Sequence, residues 1–339
     1  MPSITTAFLG VAHIHTPGFV NQLKELAQSG DVTVKSVWDH DAPRGAATAE
    51  KLGASPASSY AGILADPEIE AVVICSETAH HRELGVAAAN AGKHVFIEKP
   101  LGVGKADAEA IADAVEKAGV VFQTGFVQRG APVNQFIKNA VRAGHLGTVT
   151  RARYSNCHNG AADGYFDSEW KWFVQPELSG GGALLDMGAH ALDLIIDTFS
   201  QTEGAIVEAH GATANRSGRF GGKVDEYGSG LIEFASGFHA VFEASWVDSA
   251  SLRAPVSVFG TEGAILVAPE GVFFQSKRVD GADGKTPLAS DQMPAGAPHA
   301  FRLFWDHLLG RPTQVPLVPV RQAALGSATM ERLYETAKR

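Results

Sequence analysis

Cysteine is scarce in this chain: only Cys75 and Cys157 occur among its 339 residues. Two cysteines so far apart exclude a disulfide framework and a cysteine-based zinc site. No apolar run reaches the roughly 18 residues that a membrane-spanning helix needs. The first residues also lack the basic start and the long apolar core of a secretory signal. We therefore expect a cytoplasmic protein that does not enter a membrane.

Long basic runs are missing as well. The net charge is −9, and the lysines and arginines are scattered along the chain. Because nucleic-acid binding needs a concentrated basic surface, DNA and RNA are excluded as the main partners. The composition, 45% hydrophobic and 19% charged, is typical of a globular α/β protein. A chain of this length exceeds the roughly 250–300 residues at which single cores stop growing, so two domains are expected.

The first 125 residues alternate between short apolar runs and helical stretches. The predicted strands are Thr5–Leu9, Val32–Trp38, Ala71–Cys75, His94–Ile97 and Val120–Thr124. The predicted helices between them are Phe19–Gln28, Ala46–Leu52, His81–Ala91 and Asp107–Lys117. This alternation indicates βαβ units and a parallel sheet that is buried on both faces. We predict an α/β fold in which residues 1–125 form a Rossmann-type, doubly wound parallel sheet that binds NAD.

After Gly125 the rhythm changes. A strongly apolar helix, Ala183–Phe199, is followed by strand-like runs that short turns separate, and residues 280–298 read as a surface loop. Two helices close the chain. Residues 126–339 are therefore predicted to form an α+β domain for substrate binding and oligomerisation. Its sheet is expected to be open and largely antiparallel, and the last helices can pack back on the first domain.

The loop after the first strand has an irregular glycine pattern. Gly10 ends that strand, where a dinucleotide fold places the glycine fingerprint whose amides hold a pyrophosphate. Ala12 and His15 stand where the second and third glycines are expected. Pro17 predicts the helix start, later than usual. We expect Gly10, Ala12 and the two residues that follow it to contact the cofactor.

His13, Ile14 and His15 make this loop unusual. One hypothesis is that His13 or His15 donates a side-chain hydrogen bond to a phosphate that the backbone no longer approaches closely. The alternative is that both are ordinary loop residues. A His-x-His pair after the first strand also resembles the metal pair of barrel hydrolases. No matching histidines and aspartates follow at later strand ends, so no metal is expected.

Asp39 ends the second predicted strand. A carboxylate there accepts hydrogen bonds from the adenosine ribose and repels a 2′-phosphate, so NAD is favoured over NADP. Two alternatives stay open. Arg44 could accommodate a 2′-phosphate, and a strand-ending aspartate is also a common exposed cap.

Glu98 and Lys99 follow an apolar strand directly and precede Pro100. The carboxyl ends of parallel strands are the edge where open α/β sheets bind ligands. A Glu-Lys pair elsewhere would be read as a surface ion pair of little consequence. Its position here favours a functional role.

The helix Ala183–Phe199 carries four polar residues at i, i+4, i+7 and i+11: Asp186, His190, Asp193 and Asp197. This spacing places them on one face. The alternative is the solvent face of an amphipathic helix, but such faces are usually rich in Lys, Glu and Arg. Asp186 lies one turn from His190 and can orient its imidazole. Histidine has a suitable pKa for accepting a hydroxyl proton.

Residues 91–100 (AGKHVFIEKP) and 180–193 (GGGALLDMGAHALD) closely resemble the glucose-fructose oxidoreductase, inositol dehydrogenase and rhizopine catabolism family, Gfo/Idh/MocA. Residues 64–74 and 125–129 match it too, so the likeness covers nearly the whole chain. The resemblance implies an NAD(H)-dependent oxidoreductase. Its substrate would be a sugar, a sugar derivative or a cyclitol that exchanges hydride at a hydroxyl-bearing carbon.

The resemblance also implies roles for individual residues. Lys99 would hydrogen-bond the reacting hydroxyl, His190 would act as the acid and base, and Asp186 would be its partner. A cis peptide bond is implied between Lys99 and Pro100. The open sheet would be the dimer face, so a homodimer or homotetramer is expected.

Further contacts are expected on both sides of the site. Ser76, His81 and Glu98 are the additional candidates for the cofactor. The candidates for the substrate, each alternatively structural, are Gln128, Arg129, Asn156, His158, Tyr165 and Trp172. Phe173 stands where family members often have arginine, so the substrate is expected to be less anionic or differently anchored.

Two other classes of function use the same residues. One is a glycosidase or lyase that retains NAD and oxidises its sugar only transiently, with no net redox change. The other is a binding protein without catalysis, because a fold alone does not establish function. The intact set of Lys99, Asp186 and His190 argues against the binding protein.

The phosphate hypothesis is tested by the double variant His13→Ala/His15→Ala. If either imidazole holds a phosphate, the variant binds NADH more weakly than the wild type in calorimetric titration, by roughly tenfold for one lost charge-assisted hydrogen bond. Unchanged affinity would leave both histidines as ordinary loop residues.

Overall fold

A computed structural model describes residues 3–249 and 256–337. The chain divides into two compact units. The first comprises Met1–Val127, Asp167–Gly180 and Pro298–Ala328, and the second comprises Gln128–Phe166, Gly181–Ala297 and Thr329–Arg339. Within the described ranges, every helix is too short or too polar to cross a membrane.

The strands of the described ranges are, in chain order, β1 Ile4–Leu9, β2 Val32–Trp38, β3 Ser55–Pro56, β4 Ala71–Ile74, β5 His94–Ile97, β6 Phe122–Thr124, β7 Val149–Cys157, β8 Ile206–Ala214, β9 Tyr227–Phe234, β10 His239–Ser245, β11 Val256–Gly260, β12 Gly263–Ala268, β13 Gly271–Ser276 and β14 Asp283–Pro287.

The α-helices are α1 Thr16–Gln28, α2 Ala42–Leu52, α3 Tyr60–Ala65, α4 His81–Asn90, α5 Lys105–Ala118, α6 Pro132–Arg142, α7 Pro176–Ser179, α8 Ala183–Glu203, α9 Ala300–Leu308 and α10 Val320–Ala337.

The sheet of the first unit has the order β3-β2-β1-β4-β5-β6, and all its pairs are parallel. The predicted doubly wound sheet is thus confirmed. Strand β4 is fully buried along its whole length, as its unbroken apolar sequence requires. The strand order reverses between β1 and β4. In open α/β sheets, ligands bind at the carboxyl ends of the strands beside such a reversal.

Aromatic side chains from α1, β5 and α9 fill the core of the first unit. The ring of Phe19 stacks on Phe301 with centroids 4.3 Å apart, and Phe96 meets Phe301 edge-on at 4.9 Å. Phe304 and Trp305 extend the same cluster. A segment near the end of the sequence is therefore part of the core that supports the first sheet.

The sheet of the second unit has the order β14-β13-β12-β11-β7-β10-β9-β8. Only the β10 and β7 pair is parallel among the described pairs of this sheet. This confirms the prediction of a largely antiparallel sheet. Alternate residues of β9 are buried, including Ile232 and Phe234, which pack in one core with Leu192, Ile195 and Phe199 of α8. Helix α8 is apolar because it covers this sheet.

Several local features differ from the sequence prediction. Helix α1 begins at Thr16 rather than Pro17, with His15 at the N-cap position. Strands β3 and β14 and helix α3 were not predicted. Strand β14 lies inside the predicted loop 280–298 because it pairs at the sheet edge despite a sequence with little strand propensity. A strand predicted for Pro255–Phe259 and a helix predicted for Arg321–Lys338 each have one end residue, Pro255 and Lys338, outside the described residues.

The aromatic core predicts a large effect of Phe301→Ala. Removing a fully buried ring leaves a cavity, so the free energy of unfolding is expected to fall by about 3–5 kcal/mol in urea titrations. Leu325→Ala, at an exposed position of α10, is the control and should change it by less than about 0.5 kcal/mol. Equal effects of the two variants would contradict a core role for α9.

Candidate active site

Gly10 closes the end of β1 against β4. Its φ is +87°, in the left-handed region, and a β-carbon there would overlap Ser76. The Gly10 amide donates to the carbonyl of Trp38 at 2.7 Å. Only glycine adopts this φ without strain and leaves room for Ser76, so the first fingerprint position is kept although the other two glycines are replaced.

His13 is buried under aromatic rings. Its ring centroid lies 5.3 Å from that of Phe173 and 5.9 Å from that of Trp172. Its Nδ1 accepts the backbone amide of His15 at 3.2 Å. His15 itself is partly exposed, and its Nδ1 lies 2.9 Å from Glu98 Oε1. Of the two histidines proposed for a phosphate, His15 is therefore the one open to solvent.

Trp172 packs on the loop between β1 and α1, residues 10–15, which is called the phosphate loop below. Its Nε1 donates to the carbonyl of Ala12 at 3.0 Å, and its ring stacks on Phe173 with centroids 4.0 Å apart. The sequence prediction placed Trp172 among the substrate contacts; the structure places it against the backbone of the loop. Phe173 completes this aromatic layer, because its ring also lies against His13.

A cavity of about 390 Å³ borders this loop. Val11, Ala12 and His13 line it together with Thr16 and Pro17 of the first turn of α1. The amides at a helix N-terminus favour an anion. Close strand approach at Gly10, a helix N-terminus and an adjoining cavity together fit a dinucleotide.

Glu98 is fully buried at the end of β5. Burial by itself would raise the pKa of its carboxyl, but His15, His13 and Lys99 hold that pKa well below its usual range. Glu98 Oε2 also accepts the amide of Lys99 at 2.6 Å. Lys99 is 2% exposed, and its peptide bond to Pro100 is cis, as the resemblance implied.

His81 links the ends of β4 and β5. Its Nδ1 lies 3.0 Å from the carbonyl oxygen of Pro100, and its Nε2 lies 3.3 Å from that of Ser76. The ring is completely buried, and burial lowers its pKa. His81 thus supports the turn that carries Lys99.

Two groups in the described residues have donor atoms within 4.8 Å of one another and could hold a metal ion. They are His13, His15 and Glu98, and His40, Glu77 and His80. In the first group His15 already contacts the carboxylate, and in the second Arg44 does. We assign no metal to either group because each carboxylate has a partner of its own chain.

A buried carboxylate holds the start of α8 in the second unit. Asp225 accepts the amides of Gly182 at 3.1 Å and Leu184 at 2.7 Å, and Tyr334 donates to it at 2.7 Å. Burial raises the pKa of Asp225. A β-carbon at Gly182 would overlap the Asp225 carbonyl, which explains a glycine at this position. No sequence motif marks Asp225 or Tyr334, so neither residue was predicted.

The polar stripe of α8 has two parts. Near the start of the helix, Asp186 Oδ2 accepts Trp246 Nε1 at 2.9 Å, and His190 follows one turn later with 7% exposure. Further along, Arg129 donates to both oxygens of Asp193, at 2.8 and 2.5 Å. The stripe is therefore not a solvent face, and its second part is an ion-pair network.

Asp197 belongs to this network. Lys138 lies 3.1 Å from its carboxylate and Arg142 lies 3.6 Å from it. Arg129 is almost completely buried among these acids. The guanidinium that was predicted to contact substrate is thus held by two aspartates of α8.

The other predicted substrate residues form two small groups in the second unit. Gln128 Nε2 donates to Asn156 Oδ1 at 3.2 Å, and Asn156 Nδ2 donates to the carbonyl of Met187 at 2.9 Å. His158 accepts the amide of Gly160 at 2.8 Å, and Tyr165 lies 6.0 Å from it between ring centroids, 44% exposed.

Comparison with known proteins gives the class of this protein. Residues 4–126 match the model of an oxidoreductase family with an NAD-binding Rossmann fold, and residues 134–266 match the GFO/IDH/MocA C-terminal domain. The chain belongs to the Gfo/Idh/MocA oxidoreductase family. The resemblance seen in the sequence motifs is confirmed.

Several curated proteins are similar to the chain. A 1,5-anhydro-D-fructose reductase of Ensifer adhaerens is 29% identical over 71% of this chain and 69% of its own length. A levoglucosan dehydrogenase of Pseudarthrobacter phenanthrenivorans is 28% identical over 70% and 67%.

Two solved structures share the fold. A levoglucosan dehydrogenase in complex with NADH and levoglucosan has a TM-score of 0.81 at 21% identity, covering 99% of this chain and 97% of that one. GenD2 from gentamicin A biosynthesis, in complex with NAD, has a TM-score of 0.78 at 26% identity, covering 100% and 95%.

The buried position of His81 predicts a pH effect. Its folded pKa is lowered, so protons bind the unfolded chain more readily, and stability is expected to fall as the pH drops below about 6.5. His81→Leu should lose about 1–3 kcal/mol of unfolding free energy at neutral pH, because the neutral imidazole has one N–H donor and the buried carbonyl that accepts it loses its partner.

Urea unfolding at several pH values checks this prediction. The decline of stability between about pH 7.5 and about pH 5.5 should be shallower in His81→Leu than in the wild type. His239→Leu replaces an exposed histidine and should keep the wild-type slope. Identical slopes for wild type and His81→Leu would refute the assignment.

Proposed function

We propose that this protein is an NAD(H)-dependent oxidoreductase that acts on a hydroxyl-bearing carbon of a sugar, a sugar derivative or a cyclitol. The observation that carries the proposal is the position of Lys99. It is a buried amine at the carboxyl end of β5, and its neighbour Glu98 contacts the phosphate loop through His15. Relatives of the chain are named as reductases and dehydrogenases of sugars and inositols.

The cofactor would lie along the carboxyl edge of the first sheet. Gly10, Ala12 and His13 of the phosphate loop and the first turn of α1 would hold the pyrophosphate. Ser76, His81 and Glu98, at the ends of the neighbouring strands, would shape the remainder of the site. When bound, NAD supplies the hydride acceptor, so the protein has to manage the hydroxyl proton.

Three side chains would manage that proton. Lys99 donates a hydrogen bond to the reacting hydroxyl oxygen, and His190 accepts its proton. Asp186 stabilises the imidazolium that forms, and the hydrogen bond from Trp246 keeps Asp186 in place. In the reductive direction the same groups return the proton.

An uncharged polyol fits the polar residues of the second unit. Gln128, Asn156, His158 and Tyr165 offer neutral donors and acceptors of the kind that recognise hydroxyl groups. Arg129 is occupied by Asp193, and Phe173 replaces an arginine, so two cations that could bind an acidic substrate are not provided.

A homodimer or homotetramer in the cytoplasm is also proposed. The support is the open face of the second sheet, where Val241 of β10 and Leu266 of β12 are each 38% exposed. Apolar side chains on an open sheet face favour association with a second copy.

The function is tested by assaying purified protein with NAD and a panel of levoglucosan, scyllo-inositol, myo-inositol and D-xylose. Reduction of 1,5-anhydro-D-fructose with NADH tests the opposite direction. We expect NADH formation or consumption with at least one compound. Lys99→Ala and His190→Ala should lower kcat by roughly 100- to 10,000-fold, the range for lost proton transfer.

Matched surface variants complete the test. Lys105→Ala and His239→Ala remove an exposed lysine and an exposed histidine and should leave kcat unchanged. Sugar products that form without any net change in NADH would contradict a dehydrogenase and indicate internal redox cycling. Full activity in Lys99→Ala or His190→Ala would reject the assigned roles.

A further inference from the structure

The ends of β2 and β4 flank the end of β1 and share a cluster of charged side chains. Asp39 follows β2, Glu77 follows β4, and Arg44 of α2 bridges them. His40 lies 3.7 Å from Asp39 and 3.6 Å from Glu77. In this fold the end of β2 is the side of the sheet that receives the adenosine ribose.

Asp39 has no acceptor capacity left for a ligand. Its Oδ2 accepts the amide of Val11 at 2.7 Å and Arg44 Nε at 3.1 Å. Its Oδ1 accepts the amide of Asp41 at 2.8 Å and Arg44 Nη2 at 2.7 Å. A carboxylate offers about four acceptor positions, and its own chain uses all of them. Asp39 therefore fastens the phosphate loop to the end of β2.

Glu77 is the carboxylate that keeps an acceptor for a ligand. It is 3% exposed, and its Oε1 accepts Arg44 Nη2 at 3.1 Å. Its Oε2 is buried and has no hydrogen-bond partner among the described residues. A buried carboxylate oxygen without a donor is unfavourable, so a donor from a bound molecule is expected there. A ribose hydroxyl is a donor of the required kind.

Arg44 is held by both acids. Burial by itself would lower the pKa of its guanidinium, but Asp39 and Glu77 raise that pKa above its usual value. Two carboxylates and one guanidinium leave one negative charge in excess. A guanidinium with two acidic partners cannot turn to a phosphate without leaving those carboxylates buried and unpaired.

We propose that Glu77 is the residue that selects NAD over NADP. It accepts a hydrogen bond from a hydroxyl of the adenosine ribose and, with Asp39, holds Arg44 away from a 2′-phosphate. This inference rests on the proposed function, because it assumes that the first unit binds a nicotinamide dinucleotide. It moves ribose recognition from Asp39, where the sequence pattern predicted it, to a residue that follows β4.

Calorimetric titration with NADH and NADPH tests the inference without any sugar substrate. The wild type is expected to bind NADH more tightly than NADPH. Glu77→Gln keeps the shape and removes the charge, so NADH binding should weaken and NADPH binding should strengthen. The ratio of the two dissociation constants should shift at least tenfold toward NADPH.

Two further variants separate the parts of the inference. In Glu77→Gln/Arg44→Ala the NADPH gain should disappear, because the released guanidinium is gone. Glu68→Gln, an exposed acid of the same unit, is the matched control and should change neither affinity. Thermal melting shows that each variant is folded.

The inference is overturned if folded Glu77→Gln binds both cofactors with the wild-type ratio, or if the gain in NADPH binding persists in Glu77→Gln/Arg44→Ala. A wild type that prefers NADPH overturns it too. The first two results leave the proposed function intact, whereas a preference for NADPH also changes its proposed cofactor. A wild type that binds neither NADH nor NADPH rejects the proposed function and the inference together.

Discussion

The structure depends on neutralising carboxylates that have been taken out of water. A buried charge without a partner is strongly destabilising, so each acid needs a specific cation or several donors. At the edge of the first sheet Arg44 forms an ion pair with Asp39, and the imidazole of His15 contacts the carboxylate of Glu98. In the second unit Arg129 forms an ion pair with Asp193. These pairs fix the loops and helix faces where the proposed chemistry takes place.

In the phosphate loop, side-chain contacts stand where a regular fingerprint has its second and third glycines. A regular fingerprint lets the backbone pack closely against strand and ligand. Here His15 fills the third glycine position and compensates a buried acid, while Trp172 and Phe173 pack over His13. Asp39 then holds the Val11 amide. Side-chain contacts therefore stabilise a loop that glycine geometry stabilises elsewhere.

Helix α8 combines a structural part and a proposed catalytic part on one face. Its apolar residues cover the second sheet, and Asp193 and Asp197 are fixed by basic residues of the preceding elements. Asp225 holds its first turn. Because both ends of the stripe are anchored, Asp186 and His190 lie on a rigid element, as precise proton transfer requires.

Much of this was accessible from the sequence by itself. Short apolar runs that alternate with helical stretches predicted the first sheet, because a parallel sheet is buried on both faces. Strand-like runs that short turns separate predicted the second sheet. Gly10 was predicted at the first position of the glycine fingerprint, and the cis bond before Pro100 was expected from the resemblance. Strand β14 was missed because edge pairing can override weak propensity.

Only the tertiary structure determines which residues that are distant in sequence contact one another. Trp172 was expected at the substrate but lies on Ala12, 160 residues away, and Arg129 is held by Asp193. No spacing rule predicts such pairs, because they depend on which strand ends and loops become neighbours. The sequence predicted Asp39, Glu98 and Lys99 at the carboxyl edge of the sheet. The fold decided which charges at this edge are paired internally, and it leaves the buried Glu77 Oε2, which no motif marks, without a hydrogen-bond partner among the described residues.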